Sequence, residues 1–194
     1  MSKKIQLKDG TSVVIRPMSA RDLERSWTFF QALAPEDRAY LRRDVTRREV
    51  VEARIHSMER GGVKRLVAVA GERIVADAAL ELESSGWKKH VGELRLIVST
   101  DYRRKGLGRS MARELYSVAA EAQVEEIMVK MMRPQVAARS IFRRLGFHEE
   151  TLLPNYVKDL EGRKHDLILM RCDLEALWQE LEDYIVTADW QRVR

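Results

Sequence analysis

The residues of this 194-residue chain best suited to chemistry lie between positions 92 and 147. In the segment VSTDYRRKGLGRSMARELYSVA a strand ends, a short turn follows, and two glycines one residue apart open a helix. The first turn of a helix presents backbone N–H groups with no intrahelical partner, at the positive end of the helix dipole, and both features attract anions. Gly106 and Gly108 have no Cβ, so a bulky diphosphate can approach the main chain. Arg103, Arg104 and Lys105 add positive charge beside it. Several readings of Gly-x-Gly compete. The glycines could serve only to pack helix against strand. A dinucleotide site needs G-x-G-x-x-G, but residue 111 is Met. A nucleotide P-loop needs G-x-x-x-x-G-K-[ST], and this turn is too short and lacks the terminal Lys. A short pyrophosphate-binding turn remains.

The elements around this turn can be read from periodicity and turn chemistry. Asp9-Gly10 marks a turn, and residues 11–16 (TSVVIR) form a first strand. Ser19 caps a helix that reaches Leu33, before Pro35, and a second helix over 47–58 stops at Gly61-Gly62. Residues 65–70 and 73–82 are strands joined at Gly71-Glu72. Residues 92–99 (GELRLIVS) alternate, with Leu94, Leu96 and Val98 on one face and Glu93, Arg95 and Ile97 on the other. A helix over 105–123, a strand over 127–131 and a helix over 135–145 follow, the last stopped by Gly146. Strands over 147–158 and 164–170 flank Asp159-Leu160-Glu161-Gly162, a hairpin signal. In the tail, Leu174, Leu177, Trp178, Leu181 and Ile185 fall at helical spacing. This order predicts a mixed α/β sheet flanked by helices. With no repeat and no Pro/Gly-rich linker, the reading is one domain over 1–172 and an amphipathic helical extension over 173–194.

Composition narrows the function classes. A hydrophobic content of 45% with 34% charged residues describes a globular chain. No apolar run is long enough to span a bilayer, and no signal-peptide core follows the N-terminal lysines, so the expectation is a cytoplasmic protein without a membrane partner. The lone Cys172 agrees with a reducing compartment. His56, His90, His148 and His165 are scattered without metal-ligand spacing, so no metal is expected. The net charge of +5 comes from arginines interleaved with glutamates, as in RRDVTRREVVEAR, a pattern of solvated helix faces. The four tryptophans do not alternate with basic residues, which argues against nucleic acid as a partner.

Arg103-Arg104-Lys105-Gly106-Leu107-Gly108 resembles the Arg/Gln-x-x-Gly-x-Gly/Ala acetyl-CoA signature of the GNAT superfamily of N-acetyltransferases. Ala138 and the segment Phe142-Arg143-Arg144-Leu145-Gly146-Phe147 resemble that family's second signature, one helix and one strand further on. The segments LKDGTSVVIRPMSARDLE and YVKDLEGRKHDLILM are similar to the acetyltransferase domain of bacterial protein-lysine acetyltransferases. The resemblance implies an α+β fold whose mostly antiparallel sheet is splayed at the acetyl-CoA site by a bulge. It implies that the N–H groups of Arg104, Lys105, Gly106, Leu107 and Gly108 cradle the pyrophosphate, flanked by Arg103 and Arg109. It further implies that Leu96, Ile97 and Val98 pair with pantetheine as an added strand would.

The implied reaction is direct attack of a primary amine, from a small molecule or a protein lysine, on the thioester of acetyl-CoA. Glu93 is the implied general base, because an alkylamine with a pKa near ~10.4 must lose a proton to react. Glu81 and Glu83 are further carboxylates on the preceding strand. Arg139 and Arg143 are candidates for the cofactor's 3′-phosphate or pantetheine. Phe142 departs from the family pattern: it stands where a Tyr usually protonates the departing thiolate. Water, Ser140, Tyr102 or Tyr156 could take that role, and a non-catalytic acyl-CoA-binding module is the alternative function. The C-terminal helix is a candidate contact for a homo-oligomer.

Overall fold

The computed structural model describes residues 2–59, 61–83 and 85–176. Eight strands form one sheet in the order β1-β2-β3-β4-β5-β6-β8-β7. They are β1 (Lys3–Gln6), β2 (Ser12–Pro17), β3 (Val63–Ala70), β4 (Arg73–Leu82), β5 (Val91–Val98), β6 (Glu126–Met132), β7 (His148–Lys158) and β8 (Lys164–Asp173). Every neighbouring pair is antiparallel except β5 with β6. That pair is parallel because a helix, α4 (Leu107–Glu121), makes the crossover between them. The other helices are α1 (Leu23–Gln31), the short α2 (Pro35–Arg38), α3 (Arg48–Glu59) and α5 (Val136–Arg143).

The two faces of the sheet bury separate apolar clusters. On one, α4 inserts Leu107, Met111, Ala112, Leu115, Tyr116 and Ala119 against Leu80 and Leu94 of the sheet, a stripe with helical spacing. On the other, Phe29 and Phe30 of α1 and Val51 and Ile55 of α3 pack on Val67, Val69 and Ile74. Truncating a fully buried member such as Leu115 to Ala costs about 2–5 kcal/mol in such settings.

The parallel pairing of β5 with β6 is short. It covers Val91↔Glu126, Gly92↔Ile127 and Glu93↔Met128 and then stops. Residues 94–98 keep their β4 partners but, among the described residues, have no strand partner on the other side. This is the expected splay, with one correction: β5 carries no bulge. Its register with β4 runs unbroken from Leu82↔Gly92 to Ala76↔Val98, so the gap comes from divergence of β6 after Glu93.

Other boundaries differ from the sequence reading for local reasons. The strand β1 was not anticipated from KKIQ, whose single apolar residue, Ile5, sits opposite Val13. The chain after Ser19 first makes a 3-10 turn, Ala20–Asp22, before α1 begins. The buried Asp22 holds it there: its carboxylate accepts the Ser19 N–H at 2.9 Å and two Arg16 N–H bonds at 2.7 and 2.6 Å. At the other end, Asp173 Oδ1 accepts the Ala176 N–H at 3.0 Å, as a helix N-cap does, and Leu174 joins the core. The rest of the expected C-terminal helix, including Leu177, Trp178, Leu181 and Ile185, lies outside the described residues, and with it any oligomer contact it would make.

Candidate functional site

The turn between β5 and α4 is built from main chain. Arg104 (φ 60°) and Gly106 (φ 91°) are both left-handed, a backbone pattern that makes anion-binding concavities. Among the described residues, the N–H groups of residues 104–109 donate no hydrogen bond. The two glycines answer to different needs. Gly106 supplies a backbone conformation that a side chain would strain. A Cβ at Gly108 would meet Leu96 and Val98 only at 3.9 and 3.8 Å, ordinary contact distances. Helix-to-strand packing therefore does not demand a glycine at 108, whereas close approach of a ligand to the main chain would.

Side chains of the basic run brace the turn. Arg103 Nε donates to the Val98 carbonyl at 3.0 Å, and its guanidinium pairs with Asp37 of α2 at 2.7 Å. Lys105 Nζ pairs with Asp9 at 2.9 Å, and the Lys8 N–H donates to the Lys105 carbonyl at 3.1 Å. Lys105 holds the Asp9 carboxyl well below its usual range, at about 2. Arg104 and Arg109 are exposed and, among the described residues, have no ion-pair partner, and neither has the exposed Lys8, whose side chain runs beside Gly106, so these cations are free to meet an anion. Leu96 and Val98 pack on the α4 side of the sheet and Ile97 on the α1 side. The gap alongside residues 94–98 thus opens directly onto the mouth of α4.

Glu93, the last β5 residue paired with β6, stands at the closed end of the gap. Its side chain is 16% exposed. One carboxylate oxygen lies against the Arg42 guanidinium and the other accepts from Lys130 Nζ at 2.8 Å. Burial alone would raise its pKa; Lys130 and Arg42 together outweigh that and leave it below the ordinary glutamate value. Glu93 is therefore anionic at neutral pH. Arg95 Nε lies 3.8 Å from the oxygen that faces Arg42, a longer ion pair, and Arg95 Nη2 donates to Glu81 at 2.6 Å. A pocket of about 340 Å³ opens beside Glu93, lined among others by Val63, Glu81, Glu83, Met128 and Lys130.

Further along the same face, Asp77 accepts from Arg54 of α3 at 2.7 Å and from the buried Arg65 at 3.3 Å. These three, with Arg42 and Lys130, were not singled out in the sequence. An aspartate inside the apolar run IVADAAL and an arginine before LVAVA are signals of a buried charge pair, and strand parity puts Lys130 on the Met128 face. Nothing in the sequence pairs Arg42 with Glu93.

The second signature lands close by but points elsewhere. Phe142 is buried, its ring edge-on to Phe147 at 5.1 Å, and belongs to the core. Arg139 and Arg143 both pair with Glu149, at 3.4 and 2.7 Å. Gln135 closes the turn into α5 by accepting the Met132 N–H at 2.8 Å. Of the hydroxyls considered as acids, Tyr102 has Lys105 Nζ over its ring at 5.2 Å, and Tyr156 is exposed on β7. Among the described residues no group of three or more His, Cys, Asp or Glu could hold a metal, and no helix is long and apolar enough to cross a membrane.

Known proteins share this fold. The chain is 30% identical over 74 residues to the [Ribosomal protein bS18]-alanine N-acetyltransferase of Escherichia coli, a match covering 38% of this chain and 50% of that one. It thus spans about half the length of the curated relatives it matches. The GNAT domain of PAT from S. lividans superposes with a TM-score of 0.74 at 15% identity, over 89% of this chain and 96% of that domain. An acetyltransferase from Salmonella typhimurium, solved with its cofactor acetyl-CoA, superposes with a TM-score of 0.71 at 19% identity, over 84% and 94%. At these identities the superpositions establish the fold. The acetyltransferase (GNAT) family model matches residues 21–147, which span β5, the glycine turn, α4 and α5, and the chain belongs to that family.

Proposed function

We propose that this protein is an N-acetyltransferase that moves an acetyl group from acetyl-CoA to a primary amine, on a small molecule or a protein lysine. The observation that carries the reading is the junction of two unsatisfied backbone surfaces: the free N–H groups of residues 104–109 and the unpartnered edge of residues 94–98. The first suits a diphosphate and the second an extended chain bearing amides, which together describe coenzyme A. A single buried cysteine, Cys172, fits work in the cytoplasm.

In this reading the amine nitrogen attacks the thioester carbonyl carbon, the C–S bond breaks, and the thiolate leaves. Glu93 accepts a hydrogen bond from the incoming nitrogen and, through water, its proton. A carboxylate held below its ordinary pKa is a weak base toward a free ammonium. It is adequate once the nitrogen has begun to bond to carbon and its protons have become more acidic. Arg104 and Arg109 add to phosphate binding, while Arg103 and Lys105 fix the shape of the turn. Calorimetry with coenzyme A and a thiol-release assay over amines, amino acids and lysine peptides test the proposal. Absence of a binding heat removes it.

The buried Phe142 supports a second reading, a CoA-binding module without turnover, because no hydroxyl is present at that position to protonate the leaving thiolate. Tight CoA binding with no thiol release across the same panel would select it.

A further inference from the structure

The turn between β1 and β2 lies against the glycine turn, and its residues divide between core, brace and surface. Leu7 is buried in the core on the α4 side of the sheet, and its N–H donates to the Thr11 carbonyl at 2.9 Å. The Lys8 N–H donates to the Lys105 carbonyl at 3.1 Å. Asp9 pairs with Lys105 Nζ at 2.9 Å, and its carboxylate also accepts the Thr11 N–H at 3.1 Å. Core, main chain and Asp9 thus hold residue 8 against the glycine turn without using the Lys8 side chain.

That side chain runs past the glycine. Lys8 Cγ and Cε stand 3.9 and 4.0 Å from the point a Cβ on Gly106 would occupy, and the ammonium is one bond further on. Lys8 is exposed and, among the described residues, has no ion-pair partner. The carboxylates at the turn are already engaged, Asp9 with Lys105 and Asp37 with Arg103. Lys8, Arg104 and Arg109 therefore set an uncompensated positive field around the free N–H groups of residues 104–109. Water and salt screen these exposed charges from one another, so the fold holds them together at little cost, while an anion that enters among them meets all three. Coenzyme A offers a diphosphate and a 3′-phosphate. Lys8 flanks Gly106, within the run of free N–H groups, which is where the diphosphate lies in the proposed binding mode.

We infer that Lys8 is a further cofactor-binding residue, whose ammonium, held beside Gly106 by the β1–β2 turn, contacts the diphosphate of coenzyme A. This rests on the acetyl-transfer reading and adds to it a cation from an element far from the glycine turn in sequence.

Calorimetry with coenzyme A and with dephospho-coenzyme A, which keeps the diphosphate and lacks the 3′-phosphate, tests the inference. Lys8→Gln should raise Kd for both ligands by about three- to tenfold, as one charge-assisted contact near the surface would, and Lys8→Arg should restore most of the affinity. Lys4→Gln removes the same charge from β1 and should leave both Kd values within about twofold. The Lys8 substitution spares the backbone bond to Lys105, so the melting temperature should hold. A loss of affinity accompanied by a loss of stability would assign Lys8 to bracing the hairpin. A loss confined to coenzyme A would move the ammonium to the 3′-phosphate, and an equal loss in Lys4→Gln would reduce its role to general charge. Each of these results overturns the inference, as does unchanged affinity for both ligands while the unaltered protein binds them. Absence of a binding heat in the unaltered protein removes the acetyl-transfer reading itself, and the inference with it.

Discussion

The glycine turn and the charged cluster beyond Glu93 lie on either side of one gap in the sheet, yet they are made in opposite ways. The turn is built from consecutive main-chain N–H groups at 104–109, and its side chains serve mainly as braces. The cluster is built from side chains on β3, β4, β5, β6, α3 and the loop before α3, and no two of its members are adjacent in sequence. A backbone site binds whatever has the right shape and charge and tolerates changes in its side chains. A side-chain site sets specificity and is sensitive to each member. Under the acetyl-transfer proposal, the contrast directs the search for cofactor affinity to the turn and for acceptor choice to the side chains around Glu93.

Substitutions can break or sharpen that contrast. The largest expected effect is on the cluster's foundation. Asp77→Ala leaves Arg65 and Arg54 without their carboxylate in a buried setting and should cost about 3–5 kcal/mol in chemical denaturation. A loss near zero would mean that the cluster is solvated and unimportant. Next, Glu93→Gln should lower kcat by roughly a hundredfold while the Kd for coenzyme A stays within about twofold. If both parameters moved together, Glu93 would belong to the cofactor side.

Gly108→Ala is the corresponding test of the turn, and here stability and binding should move in opposite directions. The Cβ has room against Leu96 and Val98, and alanine favours helix over glycine by up to about 1 kcal/mol, so thermal stability should hold or rise. Coenzyme A affinity should fall by about tenfold or more, because in the proposed binding mode the methyl would stand where the diphosphate meets the amides. Unchanged affinity would return the glycine to a packing role.

The smallest effect is a control remote from both regions. The Arg16 guanidinium, helped by Ser19, holds the Asp22 carboxyl at about 2, below its ordinary value, by favouring its anion. The folded state therefore binds fewer protons than the unfolded chain in that interval. The stabilisation is fully present above about pH 4 and disappears as pH falls toward 2. Asp22→Asn should flatten that part of the acid denaturation curve and cost about 1–3 kcal/mol at neutral pH, with no change in Kd for coenzyme A.

The two regions were also unequally legible in the sequence. The turn could be read because its determinants are local: glycines at 106 and 108, a strand before and a helix after. The splay was expected by resemblance alone, and its cause was misassigned, since β6 diverges and β5 keeps its register. The cluster was only half visible. Strand parity places Glu93 and Arg95 on one face, but the pairing of Arg42 with Glu93 depends on how a loop outside the sheet folds over it. Asp22 shows the same limit on a smaller scale: its bonds to Arg16 and Ser19 delay the start of α1, and propensity alone cannot foresee them.

The bond from the Lys8 amide to the Lys105 carbonyl, with the Asp9–Lys105 pair beside it, ties the hairpin of β1 and β2 to the mouth of α4. The hairpin and the proposed cofactor cradle are therefore expected to open and close together. Coenzyme A should slow deuterium uptake at the Lys8 amide, and a fusion that frays β1 should weaken the affinity for coenzyme A.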